Sequence, residues 1–114
     1  VLLAAMDPDR CSAYLARHGM PEMTAATITD PAAFAAELDE VRASGIAVER
    51  EEFIRGASCL AAPVTTPAGQ TVGSVAVSMD PADFAARSPQ VAVLLRDVAS
   101  RVSKALRGTT LLGQ

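Results

Sequence analysis

The chain has 114 residues, half of them hydrophobic, with four aromatics, no Trp and a net charge of −3. That is enough for one domain with a core of its own, and too apolar for disorder. Its ten basic residues are scattered, so it encodes neither a phosphate-tracking face nor an aromatic platform for nucleic acid.

The opening Val1-Leu-Leu-Ala-Ala-Met6 has no basic lead-in and does not read as a signal peptide. No apolar run reaches the length of a membrane-spanning helix. An apolar start without a cap reads as an element entered midway, so a piece of a longer protein is expected. Asp7-Pro8 then supplies an N-cap followed by proline in the first helical position. Pro8, Cys11, Tyr14, Leu15 and His18 share a face at helical spacing, and Gly19 ends the helix. Asp30-Pro31 repeats the device, with Phe34, Leu38 and Val41 as the stripe and Gly45 as the stop.

The period then changes to two. Ile46–Glu49, Ser58–Thr65 and Thr71–Met79 read as strands, and Pro67–Gln70 as the turn of an antiparallel hairpin. Asp80-Pro81 opens a short turn through Phe84. A longer helix is expected from Ser88-Pro89 to Gly108, with Val91, Leu94, Leu95, Val98, Val102 and Ala105 inward and a loose tail over 109–114. Helix, helix, three strands and helix make an α+β layer arrangement rather than a wound parallel sheet.

Alternation divides the strands into two faces. Leu60, Ala62 and Val64, with Val75, Val77 and Met79, should meet the helices. The other face carries Ala47 and Glu49, then Cys59 and Ala61, then Ser74, Ala76 and Ser78. A solvated face would carry long charged side chains. Small and polar residues instead suit a concave or covered surface, such as a small-molecule site. Free thiols at Cys11 and Cys59 are expected, with no metal-ligand spacing, which favours the cytoplasm.

Gly45-Ile-Ala-Val-Glu-Arg-Glu-Glu52, Gly56 and Cys59-Leu-Ala-Ala-Pro-Val64 resemble the signature of the IclR family of bacterial transcriptional regulators. Thr27-Ile-Thr-Asp-Pro31, Leu38-Asp-Glu-Val-Arg42 and Val75-Ala-Val-Ser78 extend the likeness over nearly the whole chain. The resemblance implies a GAF-like or profilin-like antiparallel sheet flanked by helices, incomplete at its N-terminal side. Residues 1–114 would be the latter part of one effector-binding domain, with the DNA-binding winged helix-turn-helix domain absent. It further implies homodimers or homotetramers, DNA contact only through the missing domain, and no cofactor, metal or membrane.

By the same resemblance an effector, a small organic or aromatic acid, meets an acid at Glu49, the thiol of Cys59, and strand positions Ala76 and Ser78. Ser74 and Ala61 are candidates from the sheet face. Glu49 stands where Asp is common and Ala76 where a hydroxyl can serve, which points to an effector bulkier or more apolar than a two- or three-carbon acid. Gly45, Glu52 and Gly56 are expected to shape the backbone of the loop; the plainer alternative is that Glu49, Glu51 and Glu52 are simply a solvated loop with Arg50 and Arg55 as their partners. Catalysis at Cys59 lacks a base, since the sole histidine, His18, sits at a helix end where the dipole occupies it. The competing readings are a ligand-free oligomerisation domain and an enzyme acting on a small carboxylic acid.

Overall fold

The computed structural model describes residues 1–107. Helices α1 (Leu2–Ala5), α2 (Pro8–His18) and α3 (Pro31–Ser44) precede strands β1 (Ala47–Arg50), β2 (Ser58–Thr65) and β3 (Thr71–Met79), and α4 (Pro81–Arg107) closes the described chain. The expected end of the last helix at Gly108 and the tail lie outside the described residues.

Local chemistry explains the boundaries. The Asp7 carboxylate accepts the Arg10 amide at 2.9 Å, that of Asp30 the Ala33 amide at 3.0 Å, and that of Asp80 the Asp83 amide at 2.8 Å. All three Asp-Pro pairs therefore satisfy amides that a helix start leaves free. Gly45 ends α3 in the left-handed region, φ 72°, and its amide reaches the Val41 carbonyl at 2.8 Å.

The sheet is antiparallel with β2 in the middle. Every second residue of β2 is buried: Ser58, Leu60, Ala62 and Val64. Leu60 and Ala62 join Ile46, Phe84, Leu95 and Ala99 in one core, with Val75, Val77 and Met79 packed against it. A second cluster joins α1, α2 and α3 through Ala4, Cys11, Leu38 and Val41, and reaches the sheet at Ala47. The Arg42 guanidinium donates to the Ala4 carbonyl at 2.8 Å and ties α1 to α3.

The helices are thus divided between the two faces, and this corrects the expectation that all of them meet the Leu60 face. Only α4 lies there, while α1 and α3 lie over the small-residue face. Strand β1 also runs one residue later than Ile46–Glu49, because Ile46 is tied to Ser44 in the turn after α3.

The expected short turn at Asp80-Pro81 is instead the first turn of a single 27-residue helix that runs through Pro89. Proline removes one backbone donor. Both Pro89 and Ala85, whose carbonyl loses that partner, are exposed, so water can take the bond. The buried stripe of α4 is also rotated from the expected one. Phe84, Leu95, Ala99 and Ser103 face inward, whereas Leu94 and Val98 are 64% and 46% exposed and Ala105 is exposed. The apolar arc of α4 is wider than the sheet can cover. Ser103 explains the rotation: its hydroxyl accepts the Thr65 amide at 3.0 Å and donates to the Ala99 carbonyl at 2.8 Å, pinning a polar residue to the end of β2.

In α2 only Cys11 is buried. Tyr14 is exposed and packs against His18 with ring centroids 4.4 Å apart. Phe53 is 61% exposed, because it sits on the loop after β1.

Replacing Leu60, 2% exposed at the centre of the sheet, with alanine should cost about 2–5 kcal/mol in a denaturant titration. Leu94→Ala should stay within about 0.5 kcal/mol of wild type in the same experiment.

Candidate functional site

The register sets the site. Glu49 pairs with Cys59, and Cys59 with Ser78, so one row of the small-residue face reads carboxylate, thiol, hydroxyl across three strands. The next row on that face is Ala47, Ala61 and Ala76. The Cys59 thiol and Ser78 hydroxyl are hydrogen-bonded at 3.1 Å. Cys59 and Ala61 are half-buried, whereas Ser74, Ala76 and Ser78 are exposed.

Glu49 turns its carboxylate toward the loop that follows it. Oε1 accepts the amides of Glu52 at 3.0 Å and Phe53 at 2.9 Å. Oε2 is buried and accepts no hydrogen bond. Two adjacent N–H groups hold the carboxylate in one orientation, in the manner of a helix-start cap. The other oxygen is an acceptor out of solvent, a costly state until a donor meets it.

The loop is held at several further points. Glu52 Oε2 accepts the Arg50 amide at 3.0 Å, and Glu51 Oε1 accepts the Gly56 amide at 2.9 Å. Gly56 has φ 85°, which a side chain rarely adopts, and Glu51 is itself left-handed at φ 56°. Arg50 and Arg55 do not pair with these acids: among the described residues the ion pairs are Arg42–Asp39 and Arg101–Asp97. Arg50 lies over the Phe84 ring, 5.3 Å from its centroid. The loop acids are thus occupied by backbone amides.

Between α1, α3, the segment at Thr27-Ile28 and the sheet lies a hollow of about 460 Å³. Its apolar wall includes Leu3, Phe34, Leu38, Val41, Ala47 and Ala61, and its polar groups are Thr27, Glu37, Glu52 and Ser74. No Lys, Arg or His side chain lines it. Ala61, Ser74 and Glu52, all singled out in the sequence, line the hollow. Glu49, Cys59, Ala76 and Ser78 form the adjoining part of the same sheet face rather than its wall. Gly45 closes α3 just before β1. A Cβ at Gly73 would meet nothing within 4 Å, so no close approach requires glycine there.

Two contributions escaped the sequence reading. Helix α3 offers Phe34, Glu37 and Leu38 to the hollow, which only the helix-to-sheet packing reveals. Thr24 and Thr27 bind the loop from outside: the Thr24 hydroxyl donates to the Glu51 carbonyl at 2.6 Å, and the Thr27 hydroxyl to that of Glu52. Hydroxyls three residues apart ahead of an Asp-Pro pair were the available signal. Among the described residues no group of three or more His, Cys, Asp or Glu side chains could hold a metal ion, and no helix is long and apolar enough to cross a membrane.

Comparison with known proteins bears on this site. The family model described as bacterial transcriptional regulator IclR C-terminal matches residues 1–104. The HTH-type transcriptional regulator Rv1719 of Mycobacterium tuberculosis is 38% identical over 110 residues, covering 95% of this chain and 41% of that protein. Among solved structures, the C-terminal domain of the E. coli transcriptional regulator KdgR superposes with a TM-score of 0.81 at 30% identity, covering 95% of this chain and 66% of that one. The inducer-binding domain of a PobR double mutant from Acinetobacter, solved with 3-hydroxybenzoic acid, gives 0.80 at 28% identity, covering 90% and 59%. The chain spans less than half the length of the curated relatives it matches, such as 28% of BhcR from Paracoccus denitrificans at 36% identity over 77 residues and 68% of this chain.

Replacing Glu49 with alanine frees two loop amides and should lower stability by about 1–3 kcal/mol in a denaturant titration. Glu49→Gln keeps an acceptor for them and should cost less than half as much.

Proposed function

Because this chain belongs to the IclR family of bacterial transcriptional regulators, a family of regulators and not of enzymes, we propose that it is the effector-sensing part of such a regulator. The observation that carries this reading is the hollow between the helices and the small-residue face. At about 460 Å³ it falls within the range of small-molecule sites, roughly 300–1,000 Å³. The hollow adjoins the sheet face that carries Glu49, whose Oε2 is buried and unpaired, and the two together favour sensing over a purely structural role.

The effector in this reading is a small organic acid with an apolar body of aromatic size. The apolar wall built by Leu3, Phe34, Leu38 and Val41 supports the body. The related PobR inducer-binding domain, which was solved with an aromatic hydroxy acid, supports the class. Charge sets the orientation. Glu37 and Glu52 line the hollow and no Lys, Arg or His side chain does, so a carboxylate is repelled from the wall they form and turns away from it. The group that approaches Glu49 Oε2 is a hydrogen-bond donor such as a hydroxyl. Cys59, Ser78 and Ser74 complete the polar contacts of the sheet face, with Ala76 and Ala61 as its apolar floor.

Residues 1–114 form the latter part of one effector-binding domain, and DNA is bound through a separate N-terminal domain. The protein works in the cytoplasm as a homodimer or homotetramer. Effector binding shifts the balance between arrangements of its subunits and so couples two distant sites. The exposed Leu94 and Val98 of α4 favour a second role in subunit contact. That role is compatible with sensing.

A thermal-shift screen of the full-length protein against aromatic and aliphatic carboxylates tests the proposal. A true effector present at a hundredfold excess over its Kd adds about 2.7 kcal/mol, read as a rise of a few degrees, and changes operator binding. A screen in which no compound moves both readouts counts against the sensing role. With a hit in hand, Cys59→Ala should weaken binding about three- to tenfold by calorimetry while leaving the unliganded melting temperature in place. Unchanged affinity would remove the thiol from the site.

A further inference from the structure

Residues 19–30 connect α2 to α3 without a regular element, and only Met20, Thr24, Thr27 and Ile28 within them are half-buried. Little apolar packing holds this strap down. Two hydroxyls do. Thr27 Oγ1 accepts the amides of Met23 at 3.1 Å and Thr24 at 2.9 Å, and donates its proton to the Glu52 carbonyl. Thr24 Oγ1 accepts the Ala26 amide at 3.1 Å and donates to the Glu51 carbonyl. Each hydroxyl organises its own turn and grips the neighbouring loop.

Thr27 differs from Thr24 in one respect: it also lines the hollow, as do Ile28 beside it and its partner Glu52. The Thr27–Glu52 contact is therefore part of the wall. The amide of the same Glu52 is bound by Glu49 Oε1. A single peptide segment thus links the hollow, the strap and the carboxylate of the signature.

We infer that Thr27 is a positioning residue of this site, a latch whose hydroxyl holds the strap to the Glu51–Ala57 loop and so transmits occupation of the hollow to that loop. The second half of the inference rests on the sensing role proposed above; the latch itself does not. A molecule in the hollow meets Thr27, Ile28 and Glu52 along the same wall, so its presence acts directly on the Thr27–Glu52 contact. Glu52 and Phe53 amides, held by Glu49, follow. Methyl packing alone cannot do this, since the link runs through the hydroxyl proton.

Hydrogen–deuterium exchange of the full-length protein, read on peptides spanning 50–57, separates these parts. Thr27→Val keeps the shape and removes the donor, and should speed exchange there about tenfold, the equivalent of one lost hydrogen bond. Thr27→Ser keeps the hydroxyl and should restore wild-type rates. Exchange unchanged in the valine variant, or raised equally in both variants, would overturn the latch. Saturating 3-hydroxybenzoate and benzoate are then added to wild type and to Thr27→Val. A change in loop exchange in wild type that the valine variant loses supports transmission, and the same change in both variants overturns it. If neither compound alters exchange in the hollow's own wall, 34–41, that counts against these ligands in the sensing role, and the unliganded rates still decide the latch.

Discussion

The pleat of β2 is the constraint on which the rest of the molecule depends. A central strand has no free edge, and its successive side chains face opposite sides of the sheet. Leu60 and Ala62 can seal the α4 core only if Cys59 and Ala61 face the other way, and the antiparallel register then places Glu49 and Ser78 beside Cys59. A slip of one residue would put the thiol into the apolar core and leucine into the row of polar groups. Packing on one side therefore specifies chemistry on the other. Burial of a 2%-exposed leucine is what keeps the three polar groups aligned.

Much of this was legible in the residues. Helix starts were readable because Asp-Pro satisfies amides and fixes φ within a few bonds, and strand faces because alternation is a local property. The same locality explains the failures. Whether Leu94 or Ala99 faces inward depends on where α4 lands on the sheet, and the Ser103 contact to Thr65 spans 38 residues. Proline at position 89 looked like a boundary because sequence cannot show that its turn faces solvent. The row of Glu49, Cys59 and Ser78 followed from alternation, but the hollow did not. It arises from α1 and α3 lying across the second face, and the strand pattern says nothing about which face a helix chooses.

The loop after β1 shows how acids can be structural and still prepare a site. Glu49, Glu51 and Glu52 each bind a backbone amide, so the negative charge of the segment is spent on its own conformation rather than on Arg50 or Arg55. Multiple anchors fix the loop more narrowly than one ion pair between exposed side chains would. Among the described residues, what this self-binding leaves both buried and unpaired is small, the single carboxylate oxygen Oε2 of Glu49. Recognition in such an arrangement depends less on total charge than on which acceptors the backbone has left free.

Glu51 shows how tightly that loop limits change. Its φ of 56° strains any residue with a Cβ, by about 1–2 kcal/mol. Yet its side chain closes on Gly56, its amide donates to Ala57 and its carbonyl receives Thr24. Glycine would relax the main chain and lose the clasp; asparagine and aspartate tolerate the twist but are a methylene too short to span the same gap. The position has no neighbour in sequence space that improves one demand without harming another, so drift at this corner must proceed by paired replacement.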